Sequence, residues 1–394
     1  MPSPLEGRRL WLAGIGGAGM SAYAAVAQAW GAEVRGWDRA RTPYLDHLPA
    51  GIAVEISPDP PTPPVGWEPF VSTAFADRVE GRPRADLLAE LTSARETIVI
   101  AGAHGKTTTT AMIAFVLHEL GADPAYLIGG DVPQLGGNAG TGLGWLVVEG
   151  DESDRTIEAL RPRVAVITNV DLDHHSTFAS RAEVSQLFDR WTSDVPQVVR
   201  GDELPPYEGE LAVPGEHNRR NAAAALAAVE ATGADRGDAE AALARFRGVV
   251  RRLEARGTAG SVEVYDDYAH NAAKVEAAIA ALRDGSRLLV LFQPHLYSRT
   301  RHLAYELARA LAAADVVAVT DVYAAREQPA EGVTGKLVVD RLAELRPGMP
   351  IAWTPNVDDG ARFLAGRSRP GDRIVTVGAG DVDRAVPLLL ELLS

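Results

Sequence analysis

The stretch that decides the fold is ETIVIAGAHGKTTTTAMIAFVLHELG, residues 96–121. It opens with an apolar run typical of a buried strand and closes with a helical pattern, and a glycine-containing turn with Lys106 lies between them. A strand, a glycine turn and a helix in this order predict a phosphate-binding loop, because N–H groups at the start of a helix attract anions. The strict pattern G-x-x-x-x-G-K-[ST] fails, however, since Ile100 occupies the place of its first glycine and Gly102 is the nearest one.

The residue types in this turn suit a nucleoside triphosphate. Its backbone N–H groups and Lys106 match the β- and γ-phosphates, and Thr107 or Thr108 can reach Mg²⁺. The alternative is a glycine turn with a threonine-rich helix cap and no ligand. Because the strict pattern fails, the residues alone leave this alternative open.

Outward from this loop, apolar strands alternate with helices along the chain. Continuous apolar strands are typical of parallel sheets covered by helices on both faces, where ligands lie beyond the carboxyl ends of the strands. Three such units follow one another without a sequence repeat. We therefore predict an α/β fold of three domains: a Rossmann-like domain at 1–95, a central phosphate-loop (P-loop) domain with a parallel sheet at 96–248, and a C-terminal Rossmann-like domain at 249–394.

Composition narrows the classes of function. The 394 residues carry a formal charge of −14, which argues against broad binding to nucleic acids or anionic membranes. The chain has no cysteine, so disulfides, thiolate metal sites and cysteine nucleophiles are excluded. The sequence shows no signal-peptide pattern and no apolar run long enough to span a bilayer, and we expect a cytoplasmic protein.

The first unit carries a second glycine motif. Gly14, Gly16 and Gly19 match G-x-G-x-x-G between a predicted strand and helix, and Asp38 follows where a ribose-binding acid is expected. The motif predicts a diphosphate ligand, which need not be a dinucleotide. The alternative is a tight turn without a ligand.

Polar residues follow two apolar strands of the central unit. Glu149, Asp151, Glu152 and Asp154 come after the first strand, and His174 and His175 come after the second. A carboxylate and an imidazole from neighbouring strand ends could hold Mg²⁺ beside the phosphates, although Mg²⁺ prefers oxygen ligands. A solvated acidic loop is about as consistent with the spacing.

Further polar groups lie towards the C-terminus. Asn218 and Asn221 stand at a helix start, where they could read an adenine edge or simply cap the helix. In the third unit, polar residues follow two strands and suit a carboxylate or phosphate; surface charge pairs are the alternative. These residues are Asp266, Asp267, Tyr268 and His270 after one strand, and His295, Arg299 and Arg301 after the next.

Together these stretches resemble the Mur ligases from about Gly14 to Asp381. The motifs that occur in the family's order are GIGGAGMSA, AGAHGKTTTTAM, EGDESD, TNVDLDHH, PGEHNRRNAAAA, DDYAHN, FQPHLYSRTR, DVYAA and VGAGD. The family's loop is shorter, G-T-x-G-K-T, and Gly102 to Thr107 fits it with Ala103 in place of Thr. The resemblance implies a UDP-sugar domain, a central ATPase domain and a domain that receives the amino acid.

The resemblance also implies the chemistry. The motifs GIGGAGMS and FQPHxYxRTR point to the member that joins L-alanine to UDP-N-acetylmuramate, with ATP and Mg²⁺, through an acyl phosphate. No nucleic-acid or membrane partner is expected, and we expect a monomer or weak homodimer. Closure of the domains on ligand binding is also expected, because residues of two domains must meet.

The resemblance implies roles for individual residues. Catalysis is expected from Lys106, Glu149, His174, His270, His295 and Arg299. ATP is expected to contact Gly102, His104, Gly105, Lys106, Thr107, Thr108, Asn218, Asn221, Arg252 and Asp267. The UDP-sugar is expected at Gly14, Gly16, Gly17, Ala18, Gly19, Asp38 and Ser72. Mg²⁺ is expected at Thr107, Glu149 and His174.

Several departures from the family pattern keep alternatives open. Leu296 replaces an Arg, DDYGHHP is changed at Ala269, Asn271 and Ala272, and Arg326 replaces a Gly. The chain is also short after His175, which suggests a trimmed subsidiary sheet, and no Lys between Lys106 and Lys274 is available to be carbamylated and bridge metals. The alternatives are a relative that adds another amino acid or a preformed peptide, an NAD(P) oxidoreductase, and a nucleotide-binding protein without catalysis.

Overall fold

Three β-sheets with helices packed against them make up the structure, a computed structural model. It describes residues 4–152, 155–171, 177–178, 180–283, 285–325 and 327–394. The described residues divide into two compact units, one formed by 4–212 with 219–247 and the other by 213–218 with 248–394. The predicted α/β fold with three successive sheets is confirmed.

The first sheet is entirely parallel, with the strand order β3-β2-β1-β4-β5. β1 is buried from its second residue onward, as its apolar sequence predicts. The strands are β1 (Arg9–Ala13), β2 (Glu33–Asp38), β3 (Ala53–Ile56), β4 (Glu68–Val71) and β5 (Arg82–Pro83). The helices are α1 (Ala18–Ala29), which follows the first glycine motif, and α2 (Arg84–Ala94).

The second sheet has the order β11-β10-β6-β9-β7-β8. Its strands are β6 (Thr97–Ala101), β7 (Ala125–Leu127), β8 (Ala139–Thr141), β9 (Leu146–Glu149), β10 (Val164–Ile167) and β11 (Gln197–Arg200). Its helices are α3 (Lys106–Glu119), α4 (Arg181–Thr192), α5 (Glu216–Glu230) and α6 (Arg236–Leu243). All five residues of β6 are buried, because helices cover both faces of a central parallel strand.

The third sheet has the order β12-β13-β17-β14-β15-β16. Its strands are β12 (Glu254–Ala259), β13 (Val262–Asp267), β14 (Leu288–Phe292), β15 (Val316–Val319), β16 (Ile351–Trp353) and β17 (Arg373–Val377). Its helices are α7 (Ala272–Leu282), α8 (Tyr297–Leu311), α9 (Lys336–Leu345), α10 (Val357–Ala365) and α11 (Ala385–Leu393).

Two edge strands depart from the predicted parallel pattern. β8 pairs antiparallel with β7, and β12 pairs antiparallel with β13. Gly260 and Ser261 connect β12 to β13, and both have positive φ, which is the backbone of the tight turns that close hairpins. A short turn of this kind permits only an antiparallel neighbour, whereas a parallel one needs a crossover.

The sheet orders correct one expectation about strand neighbours. Strands β9 and β10, which precede the acidic cluster and the His pair, are not adjacent, because β6 lies between them. Likewise, β17 lies between β13 and β14. In the second and third sheets, the two strands that precede the predicted clusters therefore lie on either side of a third strand. His174 and His175 themselves lie outside the described residues. In the second sheet that strand is β6, which leads into the P-loop.

The first two sheets share one compact unit and one apolar core. The Trp30 indole donates a hydrogen bond to the Gly142 carbonyl at 3.3 Å, and the Asn138 amide donates to the Ala18 carbonyl at 3.4 Å. The boundaries at 95 and 248 stay predictions. Among the described residues, no helix combines the length and apolar character needed to cross a membrane.

Candidate active site

The P-loop turn requires its two glycines. Gly102 and Gly105 both have positive φ, and a Cβ atom at either position would lie 2.3 Å from a neighbouring side-chain oxygen. These oxygens are Thr168 Oγ1 for Gly102 and Asn221 Oδ1 for Gly105. The turn is therefore packed against the end of β10 and against α5. Asn221 lies against the P-loop, and its predicted contact with adenine stays a prediction.

The Lys106 ammonium is held inside the loop by the Gly102 carbonyl and the Glu152 carboxylate. Its Nζ donates to the Gly102 carbonyl at 2.6 Å and to the two carboxylate oxygens of Glu152 at 3.0 and 3.1 Å. Glu152 is only 2% exposed, so its charge is balanced by Lys106 rather than by solvent. An incoming γ-phosphate must compete with this carboxylate for the ammonium. Sequence reasoning grouped Glu152 with the acidic cluster but did not predict this ion pair.

Thr107 and Glu149 form the candidate Mg²⁺ site. The Thr107 hydroxyl donates to Glu149 Oε2 at 3.1 Å, and the Gly129 N–H donates to Oε1 at 2.6 Å. A hydroxyl and a carboxylate oxygen this close are the ligand types that Mg²⁺ takes, and Mg²⁺ fills its other positions with phosphate oxygens and water. The residues present thus fit the ion. Within the described ranges no group of three or more His, Asp or Glu side chains is placed to hold a metal, and His174 lies outside those ranges.

Two residues that directly follow β10 form hydrogen bonds with the backbone of the P-loop. The Thr168 hydroxyl donates to the His104 carbonyl at 2.6 Å, and the His104 N–H donates to Asn169 Oδ1 at 3.1 Å. The His104 ring lies 3.8 Å from the Asp171 carboxylate. These contacts orient the loop backbone, so we interpret Thr168 and Asn169 as positioning residues. Their motif, TNVDLDHH, marks this strand end in the sequence without indicating a role for either residue.

The first glycine motif is held in place by Asp38 and Ser72, which are predicted ligand contacts, and by Thr42, which sequence reasoning did not single out. Asp38 Oδ2 accepts the Gly16 N–H at 2.9 Å, and the Thr42 hydroxyl donates to the Gly16 carbonyl at 2.7 Å. Ser72 lies against Gly14, since a Cβ atom there would be 2.3 Å from Ser72 Oγ. Asp38 is buried and shapes the loop, and its contact with a ribose stays a prediction.

The two glycine motifs line one cleft of about 240 Å³. Ala18 and Gly19 line it from the first sheet, and Lys106 and Glu149 line it from the second. The structure therefore brings the predicted UDP-sugar loop and the predicted ATP site to the same cavity of the first unit.

A second group of predicted residues comes together in the second unit. The fully buried Asp266 accepts a hydrogen bond from Arg251 Nε at 2.9 Å, and the Arg251 guanidinium also donates to the carbonyls of Gly378 and Gly380. Burial raises the pKa of Asp266, and Arg251 opposes that shift. Sequence reasoning missed Arg251 and chose its neighbour Arg252, whose guanidinium lies 5.2 Å above the Tyr268 ring.

The Asp267 carboxylate also serves the local fold. It accepts the Leu253 N–H at 2.8 Å and the Ala269 N–H at 2.7 Å. Complete burial raises its pKa to about 6. Asn218 is likewise used locally, because its amide donates to the Pro214 carbonyl at 2.7 Å. Their predicted contacts with ribose and adenine stay predictions.

His270, His295 and Arg299 lie close together, and their predicted catalytic roles stay predictions. The two imidazole rings are 5.9 Å apart, and the ring of Tyr323 stacks on His295 at 6.0 Å. Arg299 Nη1 donates to His295 Nδ1 at 3.3 Å, and the His270 Nδ1–H donates to the Tyr268 carbonyl at 3.0 Å. These bonds leave His270 Nε2 as an acceptor and His295 Nε2–H as a donor.

Both imidazoles are held neutral. Burial lowers the pKa of His270 to about 3, assisted by the charges of Lys274 and Arg299. Burial also lowers the pKa of His295, and Arg299 adds to the effect. Two neutral imidazoles beside one guanidinium can bind an anionic or polar ligand group. Neither imidazole is suited to act as a strong general base, because both have lowered pKa values.

The lowered pKa of His270 predicts a pH-dependent stability. The unfolded chain takes up the proton below about pH 6.5, and the folded chain does so only near pH 3. The stability is therefore fully present above pH 6.5 and decreases as the pH falls towards 3. We expect His270→Gln to cost less stability at pH 5.5 than at pH 7.5 in urea unfolding. The exposed His302→Gln is the control, and an equal cost of His270→Gln at both pH values would contradict the prediction.

Leu296 occupies a strained backbone position at the start of α8. Its φ of 68° and ψ of 135° are unusual for a residue with a side chain. Its N–H donates to the Tyr323 carbonyl at 2.9 Å, and its carbonyl accepts from the N–H and hydroxyl of Thr300. These hydrogen bonds hold the strained backbone of Leu296 in one conformation. Leu296, which departs from the family pattern, therefore has a fixed position directly after His295. Arg326, the other departure nearby in the sequence, lies outside the described residues.

Comparisons with known proteins agree with this arrangement. Residues 100–203 match the family model "Mur ligase middle domain", and residues 251–380 match "Mur ligase, glutamate ligase domain". The UDP-N-acetylmuramate–L-alanine ligase of Mycobacterium sp. (strain JLS) is 36% identical over 473 aligned positions that cover 100% of this chain and 96% of the relative. The alignment is longer than this 394-residue chain, so it includes positions that this chain lacks.

Two further relatives have the same description. The UDP-N-acetylmuramate–L-alanine ligase of Kineococcus radiotolerans is 39% identical, with 98% of this chain and 96% of the relative covered. The crystal structure of the UDP-N-acetylmuramate–alanine ligase of Thermotoga maritima superposes with a TM-score of 0.76 at 26% identity, covering 97% of this chain and 98% of that one. These similarities leave the oxidoreductase alternative without support. The chain belongs to the Mur ligase family, with the UDP-N-acetylmuramate–L-alanine ligases among its full-length relatives.

Proposed function

We propose that this protein is an ATP-dependent ligase that joins L-alanine to UDP-N-acetylmuramate, a step of peptidoglycan precursor synthesis. The observation that carries the proposal is the single cleft lined by the first glycine motif together with Lys106 and Glu149. Such a cleft can hold a sugar nucleotide at one end and present its carboxylate to a γ-phosphate at the other. Because ATP is consumed, the cytoplasm is the proposed location.

The first step activates the substrate carboxylate. A carboxylate oxygen of the lactyl group attacks the γ-phosphorus of ATP, the bond to the bridging oxygen breaks, and ADP leaves. Phosphoryl transfer depends on positioning and on charge neutralisation. Lys106 gives up its ion pair with Glu152 and neutralises the γ-phosphate instead. The backbone N–H groups of Lys106, Thr107 and Thr108, in the first turn of α3, bind the phosphates.

Mg²⁺ is proposed to bind at Thr107 and Glu149. When bound, it neutralises charge on the phosphate oxygens. Thr107 and Glu149 lie within 3.1 Å of each other, and the Gly129 N–H orients the carboxylate. His174 stays a predicted ligand of a second ion.

The second step forms the amide. The amine nitrogen of L-alanine attacks the acyl phosphate carbonyl, a tetrahedral intermediate forms, and phosphate leaves as the nitrogen loses its proton. We assign binding of the amino acid to His270, His295 and Arg299. Arg299 pairs with the carboxylate, and the neutral imidazoles offer one acceptor and one donor for polar groups.

Release of ADP tests the proposal most directly. With ATP, Mg²⁺ and UDP-N-acetylmuramate present, each amino acid is added in turn, and L-alanine is expected to raise the rate of ADP release well above the rate without amino acid. If no amino acid or peptide raises the rate of ADP release, the ligase proposal is wrong and a nucleotide-binding protein without catalysis is favoured. A response to glycine, serine or a preformed peptide instead of L-alanine would change only the assigned amino-acid substrate. A ligase with such a substrate is the second candidate, because Leu296 replaces an Arg of the family pattern.

A further inference from the structure

Helix α8 begins without a capping side chain of its own. Its N-cap residue is Leu296, whose side chain has no hydrogen-bonding group, and its first turn contains no acidic residue. Ser, Thr, Asp or Asn is usual at an N-cap, because an oxygen atom must accept the free N–H groups of the first turn. The first turn also carries Arg299, a cation at the end of the helix where the dipole is positive. The sequence around the start of α8 therefore supplies neither a capping acceptor nor a negative charge.

Glu327 supplies both from a loop that follows β15. Its Oε2 accepts the Ser298 N–H at 2.9 Å, and its Oε1 accepts a short hydrogen bond from the Ser298 hydroxyl, across a separation of 29 residues. The hydrogen bond from the Ser298 side chain, followed by that from its N–H, holds the pKa of Glu327 below its usual range. The carboxylate is therefore charged at neutral pH, and a negative charge is stabilising at the start of a helix.

The loop that carries Glu327 is bound to the residues before α8. The Tyr323 N–H donates to the Pro294 carbonyl at 2.8 Å, and the Tyr323 carbonyl accepts the Leu296 N–H at 2.9 Å. The Glu327 N–H donates to the Ala324 carbonyl at 2.9 Å. Because the backbone is fixed on both sides of the contact, the Glu327 carboxylate can cap α8 with little further loss of conformational entropy.

The capped turn is the one that presents Arg299. Arg299 directly follows Ser298, and its Nη1 donates to His295 Nδ1 at 3.3 Å. Fraying of the first turn would displace the guanidinium, because its backbone would no longer be held in helical conformation. A binding side chain keeps its geometry only when the residues behind it are themselves held in place. The contact between Glu327 and Ser298 is the support of this kind at the start of α8.

We propose that Glu327 is a positioning residue that caps α8 and so fixes Arg299 where it can pair with the carboxylate of the amino-acid substrate. This inference rests on the proposed function, which assigns that carboxylate to Arg299. Glu327 acts through Ser298 and the first turn of α8, without touching the substrate. Its effect is therefore selective for the amino acid, because the phosphates of ATP and the UDP-sugar are assigned to the two glycine motifs.

Steady-state kinetics test the assignment. We expect Glu327→Ala to raise the KM for L-alanine about tenfold, with little change in kcat or in the KM values for ATP and UDP-N-acetylmuramate. Glu327→Gln keeps an acceptor but loses the charge, so an intermediate rise is expected. Glu331→Ala is the matched control, since Glu331 is an exposed glutamate of the same connection between β15 and α9. A purely structural role would lower the midpoint of thermal unfolding but leave the KM for L-alanine unchanged well below that midpoint.

A double-mutant cycle shows whether Glu327 acts through Arg299. The cycle uses Arg299→Lys, which keeps a positive charge but loses the guanidinium geometry. If Glu327 positions the guanidinium, Glu327→Ala raises the KM for L-alanine much less in the Arg299→Lys background than in the wild-type chain. Equal factors in the two backgrounds would overturn the proposal, as would an unchanged KM in Glu327→Ala. If Glu327→Ala fails to fold, a wild-type KM in Glu327→Gln overturns it.

Hydrogen exchange distinguishes failure of this inference from failure of the proposed function. In the protein without substrates, Glu327→Ala is expected to speed exchange of the Ser298 amide about tenfold and to leave the amides of α10 unchanged. An unchanged rate at Ser298 overturns the cap itself. If the exchange rate rises but no amino acid raises ADP release by the wild-type chain, the cap is confirmed and the proposed function fails.

Discussion

Replacing Lys106 by alanine is expected to lower kcat by about a thousandfold or more while binding of the UDP-sugar persists. The ammonium supplies the positive charge that the γ-phosphate needs as the lactyl oxygen attacks. The first glycine motif, with its own contacts to Asp38 and Thr42, does not depend on Lys106. The measurement is ADP release under saturating substrates, with UDP-N-acetylmuramate binding followed by calorimetry.

The ion pair between Lys106 and Glu152 complicates the interpretation of Lys106→Ala, and it also suggests a control variant. Removing Lys106 leaves the Glu152 carboxylate buried without the cation, which can destabilise the loop. The variant that combines Lys106→Ala with Glu152→Gln removes that buried charge, so a fold-related loss should recover in it and a catalytic loss should not. Lys336→Ala controls for the loss of a surface lysine, since Lys336 is exposed and pairs with Asp340 in its own helix. Wild-type turnover in Lys106→Ala would refute the assignment of the P-loop.

The fold was predictable because the central strands of its sheets, such as β6, β10 and β14, are buried on both faces. The continuous apolar runs 98–101 in β6 and 146–148 in β9 indicate a parallel sheet without any tertiary information. The order of the strands was not predictable in the same way. Nothing in the local pattern places β6 between β9 and β10, because that choice depends on how the helices pack once the sheet has formed.

In the candidate site, too, the sequence motifs predict some residues, whereas other contacts become visible only in the folded structure. Lys106, Thr107 and Glu149 are marked by their motifs and by their positions after apolar strands, and the structure brings them together. The ion pair between Lys106 and Glu152 is not marked by a sequence pattern of this kind. It follows from the burial of Glu152 and from a contact between residues that are distant in the sequence.

Arg251→Ala is expected to reduce the free energy of unfolding of the second unit by about 3–5 kcal/mol. Asp266 has no exposed surface, and without the guanidinium its carboxylate is left uncompensated in the protein interior. The Gly378 and Gly380 carbonyls also lose the donor that ties the loop after β17 to Arg251. Urea unfolding monitored by fluorescence measures the loss.

The expected loss comes mainly from the buried charge, so a double variant provides the decisive comparison. Adding Asp266→Asn to Arg251→Ala removes the buried charge and should recover a large part of the lost stability, because the amide can keep a hydrogen bond with Thr376. Arg256→Ala is the matched control, since Arg256 lies in the neighbouring strand and its pair with Glu254 is partly exposed, which makes it worth little. If the double variant is as unstable as Arg251→Ala, the carbonyl contacts rather than the buried charge account for the loss. If Arg251→Ala costs no more than Arg256→Ala, Arg251 does not anchor the strand ends that carry Asp267 and His270.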